Sequence, residues 1–223
     1  MVLVKLIFGK SVLTIHDVTS FSQESNYLSI QFLIYKISNL VLTHNKFSEQ
    51  QIVDLAPFLK HKIFIVPHGN YTPFINIRND QSVSRNYLSL PKRKTILLFF
   101  GMIKKVKGLE ILLESLNNIL AENPNVILLI AGKPWKNDFA VYQKIIDQRN
   151  LSDNVILHTK FIPHSDIEHY YCASDLVVLP YKKIYQSGVL MMTLSYERPV
   201  LVSDLPPIKE MIIDNENGFL FAS

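Results

Sequence analysis

The residues of this sequence best suited to chemistry are small or basic, and they stand where apolar runs end. Gly101 and Gly108 bracket a lysine-rich loop in "GMIKKVKGLEILLESL", between the apolar run "TILLFF" and a segment with helical periodicity. Read as a strand entering a helix, this stretch places Lys107 in the helix's first turn. A cation there is disfavoured by the helix macrodipole, by roughly 0.3–1 kcal/mol. An anion held between the ammonium and the exposed backbone N–H groups reverses that penalty. A second small pair, Ser187-Gly188, opens another helical run after "DLVVLPYKKIYQ". Such a pair lets backbone N–H groups approach an anion closely. Phe161, Ile162 and Pro163 leave a third apolar run, "NVILHTKFI". Singly, these are also what turn glycines and a solvated lysine look like. Together they describe one diphosphate gripped from two sides, by Lys107 and by Ser187-Gly188, with a base flanked by Phe161 and Ile162.

The elements that must position these residues follow a regular alternation. "TILLFF" is apolar at five of its six positions, as expected of a strand buried on both faces of a parallel sheet. The helix beginning near Gly108 sets Leu109, Leu112, Leu113, Leu116, Ile119 and Leu120 on one face. Strand "NVILLIAG", helix "DFAVYQKIIDQRN" and strand "NVILHTKFI" come next. A helix opened by Ser165-Asp166-Ile167-Glu168, which fits a capping box, is followed by strand "DLVVLP", a helix over Val189 to Tyr196, and strand "PVLVS". Strands and helices alternating at this spacing predict an α/β fold, a parallel sheet covered on both faces. In such folds ligands bind beyond the carboxyl ends of the strands, where the Gly101, Phe161 and Pro180 loops all emerge.

Upstream, "KSVLTIHD" reads as a short buried strand ending at His16-Asp17. "YLSIQFLIYKISNLVL" reads as a buried helix running into a strand near Leu40 to Thr43, and "KIFIVPHGN" as a strand stopped by Pro67. The stretch from Ile75 to Lys94 is polar and without periodicity, so residues 76–94 are expected to be a linker between a unit over 1–75 and another over 95–223.

Composition narrows the function classes. With 48% hydrophobic and 19% charged residues over 223 positions, the chain can bury a sizeable core. Its formal net charge of +4 suits a nucleotide or a lipid surface and is too small for a nucleic-acid binder. Cys172 is the single cysteine, which excludes an intrachain disulfide and fits a reducing compartment. Met1 to Leu13 is interrupted by Lys5 and Lys10 and lacks a small-residue cleavage site, so it is expected to be structural. No uncharged apolar run approaches the roughly 18 residues of a membrane span.

From Thr95 onward the sequence resembles the nucleotide-binding domain of GT-B glycosyltransferases, the retaining group 1 (family 4-like) enzymes that use nucleotide-activated sugars. The family pattern of apolar strand, Gly-Arg, short loop, Lys-Gly and amphipathic helix stands here as "LLFFGMIKKVKGLEILLESL". The later signature stands as "DLVVLPYKKIYQSGVLMMTLSYERPVLVSDLPPIKEMIIDNENGFLF". "VLTIHDV" is similar to a late strand of the family's acceptor domain, and "IFIVPHGNYTPF" to the segment that leads to its hinge. The resemblance implies a Rossmann-type nucleotide-sugar domain over 95–223 and a partial acceptor-side domain over 1–75, in a chain truncated at both ends. It implies that Gly101 and Lys107 hold the donor diphosphate, that Ser187, Gly188 and Val189 cap it with backbone amides, and that Phe161 and Ile162 frame the base. It also implies a catalytic role for His16, facing the sugar or the acceptor across the interdomain cleft.

The implied reaction transfers a sugar from a UDP- or GDP-linked donor to a glycan or lipid-linked acceptor with retention. It uses no protein nucleophile, metal or other cofactor, and it serves polysaccharide or glycolipid synthesis in the cytoplasm or at the membrane surface. Two further readings stay open: a non-catalytic nucleotide-binding subunit completed by a partner chain, and another reaction type on this fold, such as a nucleotide-sugar epimerase. The sequence departs from the family pattern at three places. Met102 replaces the usual arginine, and Ile184 and Met192 stand where a pair of glutamates is usual. Lys107 is thereby left as the evident charged phosphate ligand.

Overall fold

The structure, a computed structural model, describes residues 9–19, 28–75 and 77–222. The expectations for Met1–Phe8 and for the start of the first helix at Tyr27 lie outside the described residues. The chain forms two units. One draws on Met1–Gly69, Ile184–Ser187 and Leu205–Met211, the other on Asn70–Lys183, Gly188–Asp204 and Ile212–Ser223.

In the first unit, strand β1 (Val12–Thr14) is followed by helix α1 (Leu28–Ile37), strand β2 (Leu40–Thr43), helix α2 (Lys46–Leu55) and strand β3 (Ile63–Ile65). The strands pair in parallel in the order β1-β2-β3. Strand alternation sends Val41 and Ile63 into a core completed by Ile15, Val18, Tyr35, Ile52, Leu59 and Tyr185. Two devices fix the start of α2. The Asn45 side chain accepts a hydrogen bond from the Ser48 N–H at 2.7 Å. The Glu210 carboxylate accepts from the N–H groups of Lys46 and Phe47 at 2.9 and 2.7 Å, placing a negative charge at the positive helix end. Asn45 Nδ2 also donates to the Tyr185 carbonyl at 2.6 Å, which ties the segment Ile184–Ser187 into this unit.

The second unit begins at Asn70, and its first α-helix, α3 (Gln81–Tyr87), stands where a linker was expected. Asp80 caps it by accepting from the Val83 N–H at 2.7 Å. Its buried anchor is Arg85, 6% exposed, which donates to the carbonyls of Ala173 and Lys92 and pairs with Asp175 at 2.7 Å. An arginine in a core position hides the helix from any apolar-periodicity argument, which is why residues 76–94 read as linker. Beyond it run β4 (Thr95–Phe100), α4 (Leu109–Glu122), β5 (Val126–Ala131), α5 (Ala140–Gln148), β6 (Val155–His158), α6 (Ile167–Ala173), β7 (Leu176–Leu179), α7 (Gly188–Ser195) and β8 (Val200–Ser203). Helix α8 (Pro206–Lys209) falls in the first unit, and β9 (Phe219–Phe221), too short to show a period, closes the sheet.

All pairings in this sheet are parallel, in the order β6-β5-β4-β7-β8-β9. Numbered from β4 this is the doubly wound order 3-2-1-4-5-6, whose direction reverses between β4 and β7. Leu109, Leu112, Leu113 and Leu116 are buried, as the periodicity requires, and pack with Phe99, Leu128, Ile130 and Val178. The expected capping box at Ser165 does not form. Ser165 Oγ donates to the neighbouring Asp166 carboxylate, and Glu168 accepts from the backbone N–H groups of Arg78 and Asn79 at 2.7 and 2.8 Å.

Candidate functional site

The reversal point is where this sheet opens toward a ligand. The β4–β7 register pairs Leu98 with Val177, so three residues further on Gly101 and Pro180 leave side by side. Their loops, 101–108 and 180–183, are locked together. The Lys182 N–H donates to the Val106 carbonyl at 2.9 Å, and the Lys182 ammonium pairs with the Glu110 carboxylate. Gly108 caps α4 in the left-handed conformation, φ +67°, with the Pro180 carbonyl oxygen 1.8 Å from where a Cβ would stand. No other residue fits there.

Lys107 lies in a 3-10 turn, Lys105–Lys107, ahead of Gly108, whereas the first turn of α4 was expected to hold it. The residue responsible is Gly108 itself, whose positive φ ends the turn and starts the helix anew. The Lys107 ammonium rests 5.1 Å from the centroid of the buried Tyr181 ring. It also lies 3.5 Å from the position a Cβ on Gly101 would take, and a Val189 methyl lies 3.0 Å from the same point. Gly101, Lys107 and Val189 are thus gathered at one spot, beside the start of α7 at Gly188. The first N–H groups of a helix lack intrahelical partners and carry positive potential. An ammonium, a bare glycine and a helix start are groups from which an anion cradle can be built.

The remaining expected residues are placed as follows. Ser187 is buried and belongs to the first unit, directly before Gly188. Phe161, 75% exposed, offers its ring to solvent in the loop after β6, two strand spacings or roughly 10 Å from β4. Ile162 is buried, so of the two only Phe161 presents an open face. Met102 is exposed next to Gly101 and carries no charge. Burial pushes the Cys172 thiol up, with Glu168 adding to the shift, which disfavours the reactive thiolate. Among the described residues no three His, Cys, Asp or Glu side chains converge to hold a metal ion.

His16 lies in the first unit, just past β1, within a cluster that sequence reasoning missed. The β1–β2 register pairs Thr14 with Leu42, and carrying it on two places sets His16 beside His44. The β2–β3 register, Leu42 with Phe64, likewise sets His44 beside Val66. The two imidazoles stack with centroids 4.9 Å apart. His44 Nε2 is 3.0 Å from His16 Nδ1, His44 Nδ1 is 2.9 Å from the Val66 carbonyl oxygen, and the Gln186 amide is 2.7 Å from His16 Nδ1. The shared interval of 28 residues is legible only once β1 and β2 are known to be parallel and in that register.

The doubly wound parallel sheet, with Gly101, Lys107 and the start of α7 at its reversal point, defines an α/β protein of the Rossmann-like class. Residues 80–223, more than half of the chain, match the family model of glycosyl transferases group 1. The chain belongs to that family. It is 29% identical over 134 residues to the GDP-mannose:glycolipid 4-beta-D-mannosyltransferase of Xanthomonas campestris pv. campestris, covering 60% of this chain and 35% of that one. It is 26% identical over 167 residues to the lipopolysaccharide 1,2-N-acetylglucosaminetransferase of Salmonella typhimurium, covering 72% of this chain and 43% of that one. The chain therefore spans less than half the length of these curated relatives. In fold it is similar to Anabaena HepE, solved in complex with UDP and glucose, with a TM-score of 0.82 at 20% identity over 98% of this chain and 59% of that one. The fold is the α/β GT-B type.

Proposed function

We propose that this chain carries the donor site of a glycosyltransferase that moves a sugar from a nucleotide-diphosphate sugar to a glycan or lipid-linked acceptor with retention. The observation that carries the reading is the meeting of Lys107, Gly101 and Val189 at the sheet's reversal point. Relatives named for GDP-mannose and lipopolysaccharide chemistry, and a fold neighbour solved with UDP, support a UDP- or GDP-linked donor and a role in polysaccharide or glycolipid synthesis.

On this reading the diphosphate lies against the Lys107 ammonium and the first amides of α7, and the base rests on Phe161. No protein nucleophile acts. The departing phosphate deprotonates the acceptor hydroxyl on the face it leaves, so the protein's work is to align the two and to stabilise the developing negative charge. Lys107 and the helix start supply that charge stabilisation without a metal ion, and His16 acts on the sugar or the acceptor. The reaction takes place in the cytoplasm or at the membrane surface.

The test is calorimetric binding of UDP, GDP and ADP and of their sugar conjugates to the full chain, followed by a donor-hydrolysis assay. One base is expected to bind clearly better than the others. His16→Ala should leave nucleotide affinity unchanged and abolish hydrolysis. Absence of binding by all three nucleotides would refute the donor site, and unchanged turnover in His16→Ala would refute a catalytic His16.

A further inference from the structure

The histidine pair of the first unit has a determinate proton arrangement. His44 Nδ1 lies 2.9 Å from the Val66 carbonyl oxygen, which offers only lone pairs, so that nitrogen carries a proton. In a neutral ring the other nitrogen, Nε2, is then a lone pair. It faces His16 Nδ1 at 3.0 Å, a separation that bonds with one proton between the nitrogens and repels with none. The proton must therefore sit on His16 Nδ1. Gln186 agrees with this once its amide is oriented by the network. With Nε2 toward the ring, its Oε1 is buried without a partner. The amide can present either Nε2 or Oε1 to His16 Nδ1 at 2.7 Å, so Gln186 follows the tautomer and does not set it.

We infer that His44 is a positioning residue for His16. It holds His16 as the Nδ1–H tautomer and leaves His16 Nε2, which has no partner among the described residues, as an unprotonated acceptor. An imidazole fixed in this way accepts a hydrogen bond from a sugar or acceptor hydroxyl. The opposite tautomer would donate one. The functional consequence rests on the catalytic reading of His16, while the tautomer itself does not.

The experiment is a long-range nitrogen–proton correlation spectrum of the full chain, labelled with nitrogen-15 in its histidine rings, on the alkaline side of the ordinary imidazole range. The His16→Ala spectrum assigns the ring. The parent should show the Nδ1–H pattern, and His44→Ala should move the ring toward Nε2–H. His44→Gln should restore the parent pattern, because its amide can donate to Val66 and accept from His16. Donor hydrolysis should fall about threefold to tenfold in His44→Ala, as for one lost neutral hydrogen bond, and recover in His44→Gln. An Nε2–H pattern in the parent, or a pattern unmoved by His44→Ala, would overturn the inference. The expected spectra combined with turnover unaffected by His16→Ala would support the tautomer and overturn only the catalytic reading.

Discussion

Replacing Lys107 by alanine separates a ligand-binding lysine from a structural one, and the structure supplies the magnitudes. In the free protein two small effects oppose each other. The ammonium over Tyr181 contributes about 0.5–1 kcal/mol, as a cation over an aromatic face does. Its place beside the start of α4 costs roughly 0.3–1 kcal/mol. The free variant should therefore melt within a degree or two of the parent, since about 1 kcal/mol moves Tm by 2–4 °C in a chain of this size. Bound to a nucleoside diphosphate, the variant lacks a charge-assisted contact of about 1.5–3 kcal/mol, which weakens Kd roughly tenfold to hundredfold. With nucleotide at a hundred times the parental Kd, ligand stabilisation should fall from about 2.7 kcal/mol to about 1.4 or less. Thermal melts with and without UDP or GDP, paired with calorimetric Kd values, read both numbers. A destabilised free variant whose ligand-induced shift matches the parent's would refute the reasoning and make Lys107 a partner of Tyr181 alone.

Other perturbations probe the same frame. Met102→Arg restores a cation at an exposed position beside Gly101, and should tighten diphosphate binding about tenfold by calorimetry. An unchanged Kd would place the phosphate elsewhere. Gly108→Ala forces a Cβ into the Pro180 carbonyl at positive φ and should cost about 2–4 kcal/mol in chemical denaturation, with the loss of nucleotide binding exceeding the loss of fold. A variant as stable as the parent would disprove the interlock of the two loops. Glu168 supplies a pH dependence. Burial acts to raise its pKa, but the Arg78 and Asn79 N–H groups, the Asn79 side chain and His169 outweigh it and hold it below its ordinary 4.5. Its contribution, about 1 kcal/mol at a partly exposed site, is therefore present above pH 4.5 and lost as pH falls through the lowered value. Denaturation of the parent and Glu168→Gln should differ near neutrality and converge in acid; a gap independent of pH would show that the carboxylate's charge plays no part.

The sequence by itself determined whatever depends on local apolar order. Runs such as "TILLFF" and "NVILLIAG" can only be strands covered on both faces, and the leucine spacing after Gly108 can only be a helix packed on that sheet. The alternation, the parallel class and the loop ends carrying Gly101, Phe161 and Ser187-Gly188 all follow from this. Tertiary structure decided what depends on register and on single backbone conformations. Arg85 is a core residue because Asp175 and the Ala173 carbonyl, from a distant segment, pair with it together with the nearby Lys92 carbonyl, so helix α3 left no apolar trace. Lys107 falls outside helix α4 because Gly108 adopts positive φ against a carbonyl that arrives from β7. His44 becomes the partner of His16 because two parallel strands align with an offset of 28 residues, and no local pattern encodes that number. Hydrophobic periodicity is a short-range property, legible in one segment at a time. Hydrogen bonds between segments acquire meaning only when the sheet sets its register.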